Sequence, residues 1–427
     1  MRTAALHNLG CKVNSYETEA MQQLLEEAGY EIVSFHEKAD VYIINTCSVT
    51  NIADRKSRQM LHRAKKQNPE AVVVAAGCYV QSAAEELKAD LAVDVIIGNN
   101  KKQDLVPILE EYFKDRTDSS HVIEINETHE YERLSIHKIA DHTRAFLKVQ
   151  DGCNQFCSYC IIPYTRGRVR SRRPEEVVAE VRELAAAGYQ EVVLTGIHLS
   201  SYGVDFKEEE NENLLSLIRQ VHEVEGIRRI RLGSLEPRII TDDFAKALAS
   251  MPKFCPHFHL SLQSGCDETL KRMNRHYTTA EYRQIVENLR AAFPGYTLAF
   301  AYNYKVCWVP VPLRAPLGRV QAGVVTLSRY APVSTVRYGY PSAFGFPVRL
   351  FNLKRCLLEA EFVTRGGDTV WIGNTHNTAY DTGGMRSDEM RFLGELLRAA
   401  SLRGVRSVTG GDWNQYPPGY EPSEEEL

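Results

Sequence analysis

The sequence predicts an α/β protein of two or three domains, and three observations carry that prediction. Apolar β-type runs alternate with amphipathic stretches through roughly the first hundred residues, the pattern of a parallel sheet. A fresh series of strand and helix repeats begins at Arg144, and after Phe293-Pro294-Gly295 the texture changes to aromatic, proline-punctuated β segments. At 427 residues the chain exceeds one ordinary domain and can bury several cores.

In the first part TAALHNLG, VYIINTC, AVVVAAGC and VDVIIGN read as strands, with TEAMQQLLEEAG and DRKSRQMLHRAKKQ as helices between them. Cys11, Cys47 and Cys78 each fall just past a strand end, where parallel sheets gather their ligand sites. Residues 101 to 143 are polar and charged and read as a connecting helix and strand rather than core, with a boundary near residue 140. Then AFLKVQ, QEVVLTG, RRIRLGS and HFHLSLQS alternate with helices PEEVVAEVRELAAAG, NLLSLIRQVHEVEG, TDDFAKALASM and TAEYRQIVENLRAAF, as in an open βα barrel or part of one. The last part strings together AFAYNYKVCWVPVP, RVQAGVVTLSRYAPV, RLFNLKRCLLEAEFV, TVWIGNTH, a helix and SVTGGDWN, and EPSEEEL reads as a frayed tail. The expected domains are residues 1–140, 141–295 and 296–427.

Composition narrows the function classes. A formal charge of −4 gives no global attraction to nucleic acid, so any such contact has to come from a local basic patch. The N-terminus, MRTAALHNLGCKVNSYE, has no apolar core of signal-peptide length, and nowhere do about 18 apolar residues run uninterrupted; the expectation is a cytoplasmic protein without membrane association. Ten cysteines in such a chain point to metal or redox chemistry rather than disulfides.

AFLKVQDGCNQFCSYCIIPYTRGR sets Cys153, Cys157 and Cys160 as CxxxCxxC directly after a strand. Three thiolates in so short a loop can hold three irons of a 4Fe-4S cluster and leave the fourth for a chelating amino acid. A zinc knuckle is the alternative, although zinc usually takes four ligands and paired CxxC spacing. The surrounding VQDGCNQFCSYCIIPYTRGRVRSR resembles the radical S-adenosylmethionine (SAM) superfamily, and its methylthiotransferase branch in particular. That resemblance implies SAM bound at the open iron and cleaved to methionine and a 5'-deoxyadenosyl radical, with an external reducing electron donor. It also places Gly196 (LTGIHLSSYG), Ser234 (LGSLEP) and Gln263 (LSLQSGCDETLKRMNR) near SAM, and Arg275 in or near the pocket.

NLGCKVNSYETE, NTCSVTNIADRKSRQ and AAGCYVQ resemble the N-terminal domain of the same family. By that resemblance Cys11, Cys47 and Cys78 hold a second 4Fe-4S cluster, whose open iron carries the sulfur to be methylated and inserted. The wording is most similar to the branch that methylthiolates N6-threonylcarbamoyladenosine beside the anticodon, which makes tRNA the expected partner. Arg166, Arg168, Arg170, Arg172 and Arg173 follow the cluster loop; alternating along an extended segment, they are expected to reach tRNA phosphates. The sequence assigns no oligomeric state.

The resemblance stops within a few residues of Gly295. From about residue 296 the chain resembles a fragment of the endonuclease/exonuclease/phosphatase family through FNLKRCLLEAEF, GNTHN and TGGDWNQ. This implies a partial α/β sandwich in which Arg355, His376, Asp412 and Asn414 match active-site positions for metal-assisted hydrolysis, with Mg²⁺ as the metal. The family's early strands with their metal-binding glutamate have no counterpart here, so that part is expected to be inactive. The expected function is therefore tRNA methylthiolation; the alternatives are a metal-dependent phosphodiesterase and a catalytically impaired chimeric chain. Cys255, Cys266, Cys307 and Cys356 lack paired spacing and are read as incidental thiols.

Overall fold

In a computed structural model, the apolar runs of the first part become strands because β-branched and small residues suit a sheet covered on both faces. The structure describes residues 2–116, 120–136, 144–207, 210–295, 297–309, 318–341, 355–378 and 384–413. It divides into two units, Met1–Phe293 and Pro294–Leu427.

The first unit opens with β1 (Thr3–Asn8), α1 (Lys12–Glu27), β2 (Glu31–Ile32), β3 (Val41–Thr46), α2 (Asn51–Gln67), β4 (Val72–Gly77), α3 (Cys78–Ser82), α4 (Ala84–Lys88), β5 (Val95–Ile97), α5 (Leu105–Asp115) and β6 (Ser120–His121). Six strands form one parallel sheet in the order β2-β1-β3-β4-β5-β6. β3 and β4 are buried at every position. The expectation that residues 101–143 stand outside the core is corrected by this sheet: Leu105, Ile108 and Leu109 of α5 pack into its core, and β6 extends it. The LVPILEEYF spacing explains why, since it lays one apolar stripe along a helix.

The same unit continues with β7 (Ala145–Asp151), α6 (Ile162–Thr165), β8 (Arg170–Ser171), α7 (Pro174–Ala186), β9 (Glu191–Gly196), α8 (Leu214–His222), β10 (Arg229–Leu232), β11 (Ser234–Leu235), α9 (Asp242–Ala249), β12 (His259–Leu260), α10 (Asp267–Arg272) and α11 (Thr279–Ala292). β10, β9 and β7 pair in parallel, β8 adds antiparallel to the end of β7, and β11 pairs with β12. The predicted fourth barrel strand, HFHLSLQS, is thus only two residues long. α1 joins the two halves: Met21 and Leu25 pack into the sheet core, Tyr16 and Ala20 into the core around β7 and β9.

In the second unit β13 (Thr297–Val309) and β14 (Gly318–Ser328) form an antiparallel pair. β15 (Ser334–Gly339), β16 (Cys356–Val363), β17 (Thr369–His376) and β18 (Arg406–Asp412) form a sheet in that order, antiparallel except for β17 with β18. Leu393 and Ala400 of α12 (Met385–Leu402) cover Leu357 and Trp371. No described helix is long and apolar enough to cross a membrane.

Candidate iron-sulfur and SAM site

Because β1, β3 and β4 are neighbours, the sheet brings Cys11, Cys47 and Cys78 to three adjacent carboxyl ends. Cys11 caps α1, Cys47 follows β3 directly and Cys78 opens α3. Gly10 permits the approach: its φ is +108°, and a Cβ there would lie 2.9 Å from the Cys47 sulfur. Asn14 ties the strand ends together, donating from Nδ2 to the carbonyls of Leu9 (2.7 Å) and Thr46 (3.0 Å). Cys11 is exposed as a residue, yet desolvation around its sulfur raises its thiol pKa, and burial does the same for Cys47. Bound metal would deprotonate such thiols outright. Among the described residues no three His, Cys, Asp or Glu side chains are arranged around a single ion; a cluster asks for something else, one thiolate on each of three irons.

A buried ion network lies beside Cys78. Glu17 accepts from Arg166 (2.5 Å) and Lys148 (2.7 Å) and pairs with Lys102 (3.1 Å); Asp151 pairs with Lys148 (2.6 Å) and Arg166 (3.3 Å), with Arg170 at 3.7 Å. Glu132 accepts from the backbone of Lys102 and Gln103. Every one of these charged residues is at most 2 % exposed. Four cations against three carboxylates leave one positive charge over, and Arg166 directs its Nε at the Cys78 sulfur, 3.1 Å away. A buried surplus of that sign favours an anionic partner, and a cluster-bound thiolate fits it.

Cys153, Cys157 and Cys160 sit in the loop after β7. Gly152 (φ +71°) starts it, and a Cβ there would fall 1.8 Å from the Arg168 carbonyl oxygen, so no other residue fits. The Cys153 amide donates to Gly167 and the Cys160 amide to Cys157. Asn274 holds the loop from outside, donating from Nδ2 to the carbonyls of Gln155 (2.9 Å) and Phe156 (3.1 Å). Arg275 Nη1 lies 3.5 Å from the Cys157 sulfur, while its Nε and Nη2 are buried with no hydrogen-bond partner. Such orphaned donors suit an anionic group beside the cysteines. Burial raises the Cys153 thiol to about 11.

Gly196 is the register partner of Gln150, whose Nε2 donates to the carbonyls of Asp151 and Gly152 and whose Oε1 accepts from the His198 amide. Ser234 pairs with His259 (2.8 Å), and Gln263 is exposed just beyond β12 with φ +62°. Gln150, His198 and Asn274 were not singled out from sequence. His198 Nε2 is buried without a partner; burial holds its imidazole below the ordinary range, Glu236 opposing and Arg275 adding to the effect. The GIH context around Gly196 contains His198 and the MNR context before Arg275 contains Asn274, while Gln150 stands in the VQDG run before Cys153.

The arginine run needs correction. Arg166 and Arg170 are fully buried and Arg172 is 5 % exposed. Arg172 pairs with Glu180, and the other two belong to the ion network. These three face carboxylates within the fold rather than phosphates, because β8 pairs with β7 and turns the segment inward. Arg168 and Arg173 remain exposed, Arg168 over the Phe156 ring and Arg173 over Phe206.

In the second unit His376 and Asp412 are register partners on β17 and β18, and Arg355 immediately precedes β16. Asn414 lies outside the described residues. Cys356 is buried in β16, and Cys255 and Cys266 are unpaired thiols.

Residues 3–98 match uncharacterized protein family UPF0004, and residues 147–304 match the Radical SAM superfamily. The chain is 45% identical over 295 residues to threonylcarbamoyladenosine tRNA methylthiotransferase MtaB of Bacillus subtilis, covering 69% of this chain and 65% of that protein. It is 44% identical to the MtaB of Aquifex aeolicus (66% and 68%), and 37% identical to tRNA-2-methylthio-N(6)-dimethylallyladenosine synthase of Moorella thermoacetica (70% and 67%). The chain thus spans about two thirds of the length of the curated relatives it matches. Among solved structures it is similar in fold to the radical SAM methyltransferase TsrM of Kitasatospora setae, with a TM-score of 0.51 at 16% identity over 68% of this chain and 66% of that one.

Proposed function

Because the chain belongs to the radical SAM methylthiotransferase family, we propose that it converts N6-threonylcarbamoyladenosine beside the anticodon of tRNA to its 2-methylthio derivative. The observation that carries this reading is the pair of cysteine trios at carboxyl ends of parallel strands, packed in one unit through α1 and the buried ion network. When bound, the cluster on Cys153, Cys157 and Cys160 supplies the electron that cleaves SAM, and the cluster on Cys11, Cys47 and Cys78 supplies an iron site for the transferred sulfur.

The chain's own residues prepare that chemistry. Gln150 and Asn274 fix the loop that carries Cys153 and Cys157. Arg275 offers its two unpartnered nitrogens to the SAM carboxylate. Gly196 lets Gln150 approach closely, a Cβ there meeting its Oε1 at 2.8 Å, and Ser234 and Gln263 would line the outer wall. An external electron donor completes the system.

With part of the basic run buried, Arg168 and Arg173 are the exposed arginines of that segment, and they would meet tRNA phosphates, Arg173 in exchange for its surface pairing with Glu210. Replacing both by alanine is expected to weaken tRNA binding roughly ten-fold and to flatten its salt dependence by one to two phosphate contacts. Filter binding across a salt series reads both; an unchanged slope removes these residues from the interface.

The function itself is tested with anaerobically reconstituted protein, SAM, a chemical reductant and tRNA carrying threonylcarbamoyladenosine, followed by nucleoside mass spectrometry. A methylthio mass gain on that nucleoside is the expected product. Gain on dimethylallyladenosine instead would keep the family and overturn the branch; no gain on either would overturn the activity.

For residues 296–427 we infer a part of an endonuclease/exonuclease/phosphatase-type sandwich, on the strength of GNTH and GDWN at the ends of paired strands.

A further inference from the structure

We propose that Arg166 is a positioning residue for the second cluster: its Nε–H holds the Cys78 sulfur and stabilises the reduced form of the cluster that Cys78 binds. The inference rests on the reading that Cys11, Cys47 and Cys78 carry that cluster. It goes beyond that reading in giving the ligand an electrostatic partner drawn from the other cysteine loop.

The geometry is specific. The guanidinium fork is fixed on one side by Glu17, Nη1 reaching Oε1 at 2.5 Å and Nη2 reaching Oε2 at 3.1 Å. Nη2 also donates to Asn14 Oδ1 at 2.6 Å. These bonds set the plane of the group and leave Nε–H aimed at Cys78, 3.1 Å from the sulfur. A guanidinium held in this way loses little freedom in making one more bond. Asn99 Nδ2 approaches the same sulfur at 3.6 Å while donating to the Thr165 carbonyl at 2.7 Å, one residue before Arg166.

Charge points the same way. The network around Arg166 carries one buried positive charge more than its carboxylates neutralise. Reduction adds negative charge to a cluster, and a hydrogen bond to a ligand sulfur from a cation favours the more negative state. Arg166 stands six residues after Cys160, so the segment that leaves the first cysteine loop furnishes the donor to the second. Glu17 and Asn14, both on α1, hold that donor in place.

The test uses the full chain with Cys153, Cys157 and Cys160 replaced by alanine, so that only the second cluster forms, and with ¹⁵N-labelled arginine. Pulsed EPR of the chemically reduced cluster is expected to show an arginine nitrogen coupling that disappears in Arg166→Lys. Redox titration is expected to give Arg166→Lys a lower midpoint potential than its parent. Lys148→Met perturbs the same ion network without touching Cys78 and is expected to keep the nitrogen coupling. A cluster that forms without any arginine coupling overturns the proposal, even if Arg166→Lys fails to fold, because that spectrum needs no change at Arg166. An unshifted potential in a folded, iron-loaded Arg166→Lys overturns it equally. Failure of the parent to take up iron would instead overturn the three-cysteine reading, and this proposal with it.

Discussion

Replacing Glu17 by leucine is expected to lower the unfolding free energy of the unit containing residues 1–293 by about 3–5 kcal/mol, the loss typical when one partner of a buried ion pair is removed. The residue is fully buried and meets three cations, Arg166, Lys102 and Lys148. Without it those cations keep their desolvation penalty and lose most of their compensation. Urea unfolding followed by far-UV circular dichroism measures the change, which should appear in the midpoint with the slope unaltered. A shift below about 1 kcal/mol, the range of surface pairs, would mean that the network contributes nothing special.

The pH dependence of the same variant carries a sign. Burial opposes ionisation of Glu17, but Arg166, Lys102 and Lys148 overcome it and hold the carboxyl well below its ordinary range. A depressed folded pKa gives stability that is fully present above the unfolded value of about 4.3 and is lost as pH falls through the folded value. Glu17→Leu should therefore show a shallower acid limb than the parent below about pH 4.

The second large effect is expected at Gly152. A Cβ there would sit 1.8 Å from the Arg168 carbonyl, and the backbone φ of +71° is already unfavourable for any other residue by about 1–2 kcal/mol. Both atoms in conflict are fixed, since Arg168 O belongs to the turn whose Gly167 carbonyl accepts from the Cys153 amide. Gly152→Ala should force the loop carrying Cys153 away from its position after β7. Iron retained at that trio after desalting is expected to fall by more than half, while iron at Cys11, Cys47 and Cys78 stays. The comparison is made in chains with the other trio replaced by alanine. Equal retention with and without the methyl group would show that the loop tolerates displacement.

Much of the site was legible because its determinants are local. The CxxxCxxC loop follows an apolar strand, and Cys11, Cys47 and Cys78 follow strands whose alternation with helices announces a parallel sheet. Order within the sheet was not legible, yet the neighbouring of β1, β3 and β4 is what makes three distant cysteines adjacent. The arginine run shows the opposite limit. Alternating basic residues suggest a solvated strand, but β8 pairs with β7, and Asp151 and Glu17 draw Arg166 and Arg170 inward. Partners from positions as far apart as 17, 102 and 148 leave no periodic trace, so Lys102 and Lys148 gave no signal. Residues 101–143 misled for a related reason: their charge is real, but Lys102 and Glu132 spend it in the interior while Leu105, Ile108 and Leu109 fill the sheet core.

Two separate cysteine trios on one chain should hold two independent clusters. Iron and acid-labile sulfide per chain decide this after anaerobic reconstitution, measured for the parent and for two variants in which either Cys11, Cys47 and Cys78 or Cys153, Cys157 and Cys160 become alanine. About eight irons are expected for the parent and about four for each variant, as two independent 4Fe-4S clusters require, with 5'-deoxyadenosine formed only where Cys153, Cys157 and Cys160 remain. About four irons in the parent, unchanged when Cys11, Cys47 and Cys78 are removed, would contradict that expectation.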